Sequence, residues 1–246
     1  MLPEASPTVV WDPARQPRTA GQAQKLIRKV IAGPELIGPG VVRATPYESD
    51  PSRWAVLGVD CVWRQESLPK DVLATLTRYF QVPAEGGKGA VRLSATVSVH
   101  RTALGADWAQ AGTLEEVMGC PEQTLRPGDR LTGLMSASHV WGDAANRSSE
   151  DRLNERGQCH SYTHGGPYPY IWMQSTLGPV TVGASACGGR GHGEDEVHRL
   201  VAQSSGWMRS ALEHELGRPT EVASGSSEPG ASPSGSSFAP GRNGGA

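Results

Sequence analysis

The stretch Cys159-His160-Ser161-Tyr162-Thr163-His164, followed by Tyr168, Tyr170 and Trp172, gathers the ring side chains best suited to chemistry. Tyrosine and tryptophan join a large contact area to a hydrogen-bonding tip. His160, Tyr162, His164, Tyr168, Tyr170 and Trp172 are therefore the candidate ligand-binding residues, lining a cleft for a small molecule or a peptide. The plainer alternative is an aromatic loop packed on its own sheet. With Cys187 and His192 the segment holds zinc-ligand residue types, but the spacings match no finger or catalytic zinc motif. Neither a metal nor another cofactor is expected. Gly188 to Gly193 lies between a predicted strand and helix, where phosphate loops occur. It lacks the G-x-G-x-x-G spacing and no G-K-[ST] follows. Glu194, Asp195 and Glu196 already occupy the positive end of the next helix.

Other catalytic signatures are missing. G-x-S-x-G does not occur, so no nucleophile elbow is expected. His214-Glu215 has no second histidine at the zincin spacing. Glu115 and Glu116 are neighbours on a predicted helix, point in different directions and read as a solvated face. Asn146-Arg147-Ser148 fits a glycosylation sequon by pattern. No catalytic residue is assigned. General acid–base work by a histidine or tyrosine in a cleft needs no motif, and so remains the alternative.

Four cysteines, Cys61, Cys120, Cys159 and Cys187, admit three pairings, and none lies in a C-x-x-C pair. An even count in a chain rich in Gly and Pro favours two disulfides and an oxidising compartment. The preferred pairing is Cys61–Cys120 and Cys159–Cys187. The first ties a strand to the end of a helix, and the second ties the segment before the last hairpin to that hairpin's final strand. The loops closed would be 59 and 28 residues, contributing roughly 4 and 3.5 kcal/mol in the chain-entropy model. Four buried free thiols in a cytoplasmic protein are the competing reading.

The elements that must position these residues follow from periodicity. Thr19 caps a helix to about Ala32, with Ala23, Leu26, Ile27, Val30 and Ile31 on one stripe. Val41-Val42 reads as a short strand and Trp54 to Trp63 as one longer strand. Val72 to Val82 fits either helix or strand. Strand is preferred because Val91 to His100 is its natural hairpin partner, with Val91, Leu93, Ala95, Val97 and Val99 alternating against Arg92, Ser94, Thr96 and Ser98. Asp107 caps a helix from about Trp108 to Met118, with Ala111, Leu114 and Met118 inward. Arg130 to His139 reads as a strand, Asp143 to Glu155 as a polar loop, and Tyr170–Gln174 with Val180–Ala186 as a hairpin. Glu194 to Leu216 is the last helix. Strands that mostly neighbour one another, with helices before and after, predict an α+β domain with an antiparallel sheet.

The ends read differently. Residues 1–18 hold four prolines and no period, and are taken as a linker. They lack the features of a signal peptide, so either the protein is cytoplasmic or its signal or anchor lies outside this chain. Residues 218–246 form a tail expected to be disordered, with 16 of the last 23 positions Ser, Gly or Pro. Residues 19–217 are then one domain. The 23 basic and 25 acidic residues nearly cancel. That balance excludes a nucleic-acid backbone binder and a polybasic membrane-surface module. The longest apolar run, Trp54 to Val59, is six residues, far below the ~18 of a transmembrane segment.

In order, the chain has an irregular lead-in, a strand carrying Cys61 and a hairpin with the alternating Val91–His100 strand. Ala106-Asp107-Trp108 then opens a helix closing on Cys120-Pro121, and Gly178 to Val182 leads toward a long final helix. This order resembles the actinobacterial extracellular sensor domains attached to PknH-type serine/threonine kinases, and the stand-alone secreted lipoproteins similar to them. The resemblance runs from about Leu26 to Leu216. It implies a twisted antiparallel sheet flanked by helices, two disulfides with the first on Cys61 and Cys120, a ligand cleft and no enzymatic activity. The expectation is a non-enzymatic, secreted or envelope-associated ligand-binding or sensor-like domain. The alternative is a small cytoplasmic biosynthetic enzyme with His160, His164 and the nearby tyrosines in its active site.

Overall fold

The strand with the clearest alternation lies near the middle of the molecule. In the computed structural model, which describes residues 9–137 and 152–219, Val91–His100 (β6) pairs on one side with Val72–Val82 (β5) and on the other with Val180–Cys187 (β11). The sheet extends from β5 to Val42–Glu48 (β2). From β11 it continues through Gly165–Leu177 (β10), Arg152–Ser161 (β9) and Asp129–Ala137 (β8) to Gln123–Arg126 (β7). All eight strands run antiparallel in the order β2-β5-β6-β11-β10-β9-β8-β7. The architecture is α+β, a curled antiparallel sheet with three helices.

One face of this sheet is apolar. Val91, Leu93, Ala95, Val97 and Val99 of β6 join Val180, Val182, Ala184 and Ala186 of β11 in the main core. Two helices cover them. Ala20–Val30 (α1), capped by Thr19 accepting from the Gln22 N–H at 3.3 Å, contributes Ala23, Leu26, Ile27 and Val30. Glu194–Leu216 (α3) contributes Val197, Val201, Met208, Leu212 and Leu216. The opposite face carries hydroxyls. Thr75 bonds Ser98 at 2.8 Å, Thr77 bonds Thr96 at 2.9 Å and Ser94 bonds Ser185 at 2.7 Å. The third helix, Ala103–Gly119 (α2), packs on this second face.

Several expectations are corrected. Trp54 to Trp63 is not one strand but a hairpin, Arg53–Leu57 (β3) and Trp63–Ser67 (β4). The chain reverses at Gly58, where Cys61 N–H donates to the Gly58 carbonyl and Cys61 takes a left-handed φ of 59°. β2 is seven residues long, yet meets β5 only at Val42, Arg43 and Glu48. Pro46 is tolerated there because an edge strand has no outer partner for the missing N–H. α2 begins a turn earlier than expected, since Thr102 accepts from Gly105 N–H at 3.0 Å and leaves Asp107 inside the helix. Its buried residues are Ala106 and Val117, whereas Leu114 and Met118 are exposed. Arg152 to Glu155, read as loop, belongs to β9. Val9–Trp11 (β1), within the stretch read as linker, pairs with Gly217–Pro219 (β12). Residues 1–8, the sequon at Asn146, the end of the expected strand at His139 and the tail from Thr220 onward lie outside the described residues. No helix among the described residues is long and apolar enough to cross a membrane.

These assignments separate two methionines. Met208→Ala, inside the main core, is expected to lower unfolding stability in urea by about 2–5 kcal/mol. Met118→Ala, at the surface, is expected to stay within about 0.5 kcal/mol of the parent.

Candidate functional site

The segment of ring side chains is a strand pair. β9 and β10 pair from Arg152↔Ser175 to Tyr168↔Cys159, and the register shifts between Tyr168 and Gly165. Cys159 is bonded to Cys187, and Cys61 to Cys120. The first of these bonds shapes the site. Cys159 lies on β9 and Cys187 on β11, with β10 between them. Strands one removed lie about 9.6 Å apart in a flat sheet, whereas the two Cα atoms are 5.9 Å apart. The sheet is therefore folded toward its polar face at this point, and Gly188 N–H closes onto the Pro169 carbonyl at 2.8 Å. The second bond fixes the β3–β4 turn to the end of α2, and Trp63 Nε1–H donates to Gln123 Oε1 at 2.8 Å beside it.

The six ring residues divide among three surroundings. His160 and Tyr162 line an open cavity of about 430 Å3 at the turn end of β8, β9 and β10. His160 Nε2 bonds Thr132 Oγ1 at 2.9 Å, and Tyr162 is 94% exposed. Its ring lies against Gly128, which has φ +88° and where an added Cβ would come within 2.9 Å of that ring. His164 is exposed in the turn, its backbone N–H on Ser161 Oγ. Tyr168 and Tyr170 pack with Cys187 against Val117, Leu131, Leu134 and Cys159, a second small core under α2. Trp172 stands on the same face as Tyr168 and Tyr170, its ring filling the space left by Gly183.

Charge in the cavity comes from residues the sequence did not single out. Asp129 is 7% exposed. Its Oδ2 accepts from Arg126 Nε at 2.6 Å and from Arg92 Nη1 at 3.1 Å. Burial acts to raise its pKa, but the Ser161 hydroxyl and the two guanidinium groups outweigh it and hold the carboxyl below its ordinary value. The negative charge is thus already neutralised. Arg130, also on the cavity wall, has no partner among the described residues. Around Asp129 stand the Arg92 and Arg126 guanidinium groups that bond it, and Arg130 is the arginine among the residues lining the cavity. Only a strand assignment that places Asp129 inward would have exposed this pattern.

A second cluster lies under α2. Glu155 of β9 is 6% exposed, and its Oε1 is buried with no hydrogen-bond partner among the described residues. Burial, then the charge of Glu116 on α2, pushes its pKa up to about 8. Glu116 is raised to about 7 by burial. Tyr170 is raised by its own burial and by both carboxyls. Glu116 is therefore not part of a solvated face, although its neighbour Glu115 is exposed. A carboxyl kept protonated at neutral pH needs no counter-ion.

No protein-family model and no curated protein matches this chain. Among solved structures it is similar to the crystal structure of the extracellular domain of PknH from Mycobacterium tuberculosis. The identity is 11% and the TM-score 0.48, covering 80% of this chain and 99% of that one.

The raised carboxyls set the sign of a pH dependence. Below pH 4.5, the ordinary value, folded and unfolded chains both hold these protons. As pH climbs toward 8 the unfolded chain releases them and the folded one does not, so stability falls. Glu155→Gln is expected to match the parent at pH 4 and to exceed it by on the order of 2 kcal/mol at pH 9, measured by urea denaturation at the two pH values.

Proposed function

We propose that this chain is a non-enzymatic ligand-binding domain of an oxidising compartment outside the cytoplasm, and that the cavity beside β8 and β9 takes a small polar ligand bearing a carboxylate or phosphate. One observation carries the ligand class. Asp129 is already bonded by Arg92 and Arg126, while the Arg130 guanidinium on the cavity wall has no partner among the described residues. A guanidinium recognises planar and tetrahedral oxyanions through paired N–H donors. The His160 ring and the exposed Tyr162 hydroxyl add polar groups at the rim. The two disulfides support the compartment, since such bonds persist where the surroundings are oxidising. They also leave no free cysteine among the described residues to act as a nucleophile. A cytoplasmic acid–base enzyme would need the histidine and tyrosine tips to converge. Their division between the cavity, the turn and the small core does not support that reading.

The test is a titration with inorganic phosphate and with acetate, followed by amide chemical shifts. Saturable shifts centred on Arg130, His160 and Tyr162 are expected, and Arg130→Gln should weaken them by about tenfold, the loss of roughly one charge-assisted contact. Shifts spread evenly over the protein, or an unchanged response in Arg130→Gln, would overturn the assignment.

A further inference from the structure

We propose that the outward face of α2 is a docking surface for a helix of a partner protein, apolar along one stripe and basic along its margins. α2 is apolar on two sides. Its inner side sets Ala106 and Val117 against the polar face of the sheet. On the outer side Leu104, Trp108 and Met118 are 63%, 67% and 82% exposed. At about 100° per residue, Leu104, Trp108, Ala111 and Met118 fall within about 80° of one another. The row is about 21 Å long at the helical rise. Single exposed apolar residues are ordinary, but three large ones aligned on one side of a helix mark an interaction surface. Anchors at these spacings are those of one helix laid against another.

Charge selects the occupant. α2 holds no lysine or arginine from Ala103 to Gly119, and the carboxylate on its outer side is Glu115. Glu115 is exposed, falls within the apolar row and has no ion-pair partner among the described residues. The negative end of the helix dipole adds the same sign beside Met118. A second copy laid across this face sets acid against acid, and an anionic lipid surface is repelled in the same way. A helix with lysine or arginine beside its apolar stripe satisfies both the row and Glu115. The surface is separate from the cavity, and the proposal stands or falls independently of it.

Two synthetic amphipathic helices test it, one of leucine and lysine and one of leucine and glutamate. Each carries a fluorescent label and is titrated with the full chain. The leucine–lysine helix is expected to bind, and the leucine–glutamate helix is not. Trp108→Ser with Met118→Ser should weaken binding about tenfold or more, as for two central anchors. Glu115→Lys should shift the preference toward the leucine–glutamate helix. If the double variant melts below the parent, Leu104→Ser carries the same comparison. Binding of the leucine–lysine helix unchanged by these variants, or equal binding of both helices, would overturn the proposal. So would a dimer in sedimentation that the double variant dissolves, or capture by phosphatidylglycerol vesicles that the double variant loses.

Discussion

The Cys159–Cys187 bond is the constraint around which the polar half of this molecule is arranged. It joins two strands across the one that separates them, and so fixes a fold line through β10 near Pro169. The side chains on the inside of that fold meet. Leu131 and Leu134 of β8, Tyr168 and Tyr170 of β10 and Val117 of α2 cluster on the two sulfurs. Arg92 Nη2 lies 3.1 Å from Cys187 Sγ, while its Nη1 reaches Asp129. One cross-link therefore builds a second core under α2 and holds the Arg92 guanidinium that neutralises Asp129.

The two sheet faces solve different problems. The face under α1 and α3 buries branched and small apolar residues and is closed by two helices with their own apolar stripes. The other face is covered only in part. A bare apolar surface there would be a liability, and a bare polar one would be costly to bury without partners. Hydroxyl pairs across β5, β6 and β11 satisfy each other directly, so this face tolerates both burial and water. The acid pair follows the same logic. Glu155 and Glu116 are enclosed where a charge is expensive, and protonation removes the charge.

Much of the apolar half is legible in the sequence, and little of the polar half is. β6 alternates strictly because one face is dry, and α1 and α3 show single stripes because each meets the core along one side. α2 breaks that rule. With apolar residues on two sides, its stripe pointed outward when Ala111, Leu114 and Met118 were taken as the inner set. The reversal within Trp54 to Trp63 was hidden because Val59 and Cys61 look like strand residues, and nothing local announces that Cys61 adopts a left-handed turn. The ring-rich segment was legible as a cluster in sequence, but alternation along β10 and the turn after Ser161 send its members to separate places. Asp129 and Glu155 acquire their character from neighbours distant in the chain, Arg92 and Glu116, which no local window contains.

α2 also shows how little of a helix the fold itself requires. At its start, Thr102 caps the first turn and His100 just before it lies buried against the Trp54 ring. In the middle, Thr176 donates to Gln110. At its end, Cys120 is bonded to Cys61, and Cys120 N–H closes the last turn on the Glu116 carbonyl. A helix held at its start, middle and end by polar and covalent contacts needs only a narrow inner seam, and Ala106 and Val117 supply it. Leu104, Trp108 and Met118 then contribute nothing to seating the helix. In water each is a cost in solubility without a return in packing. Their presence in one row on a rigidly anchored rod is the pattern of a surface completed by another molecule, because rigid anchoring removes the ordering entropy that a partner would otherwise have to overcome.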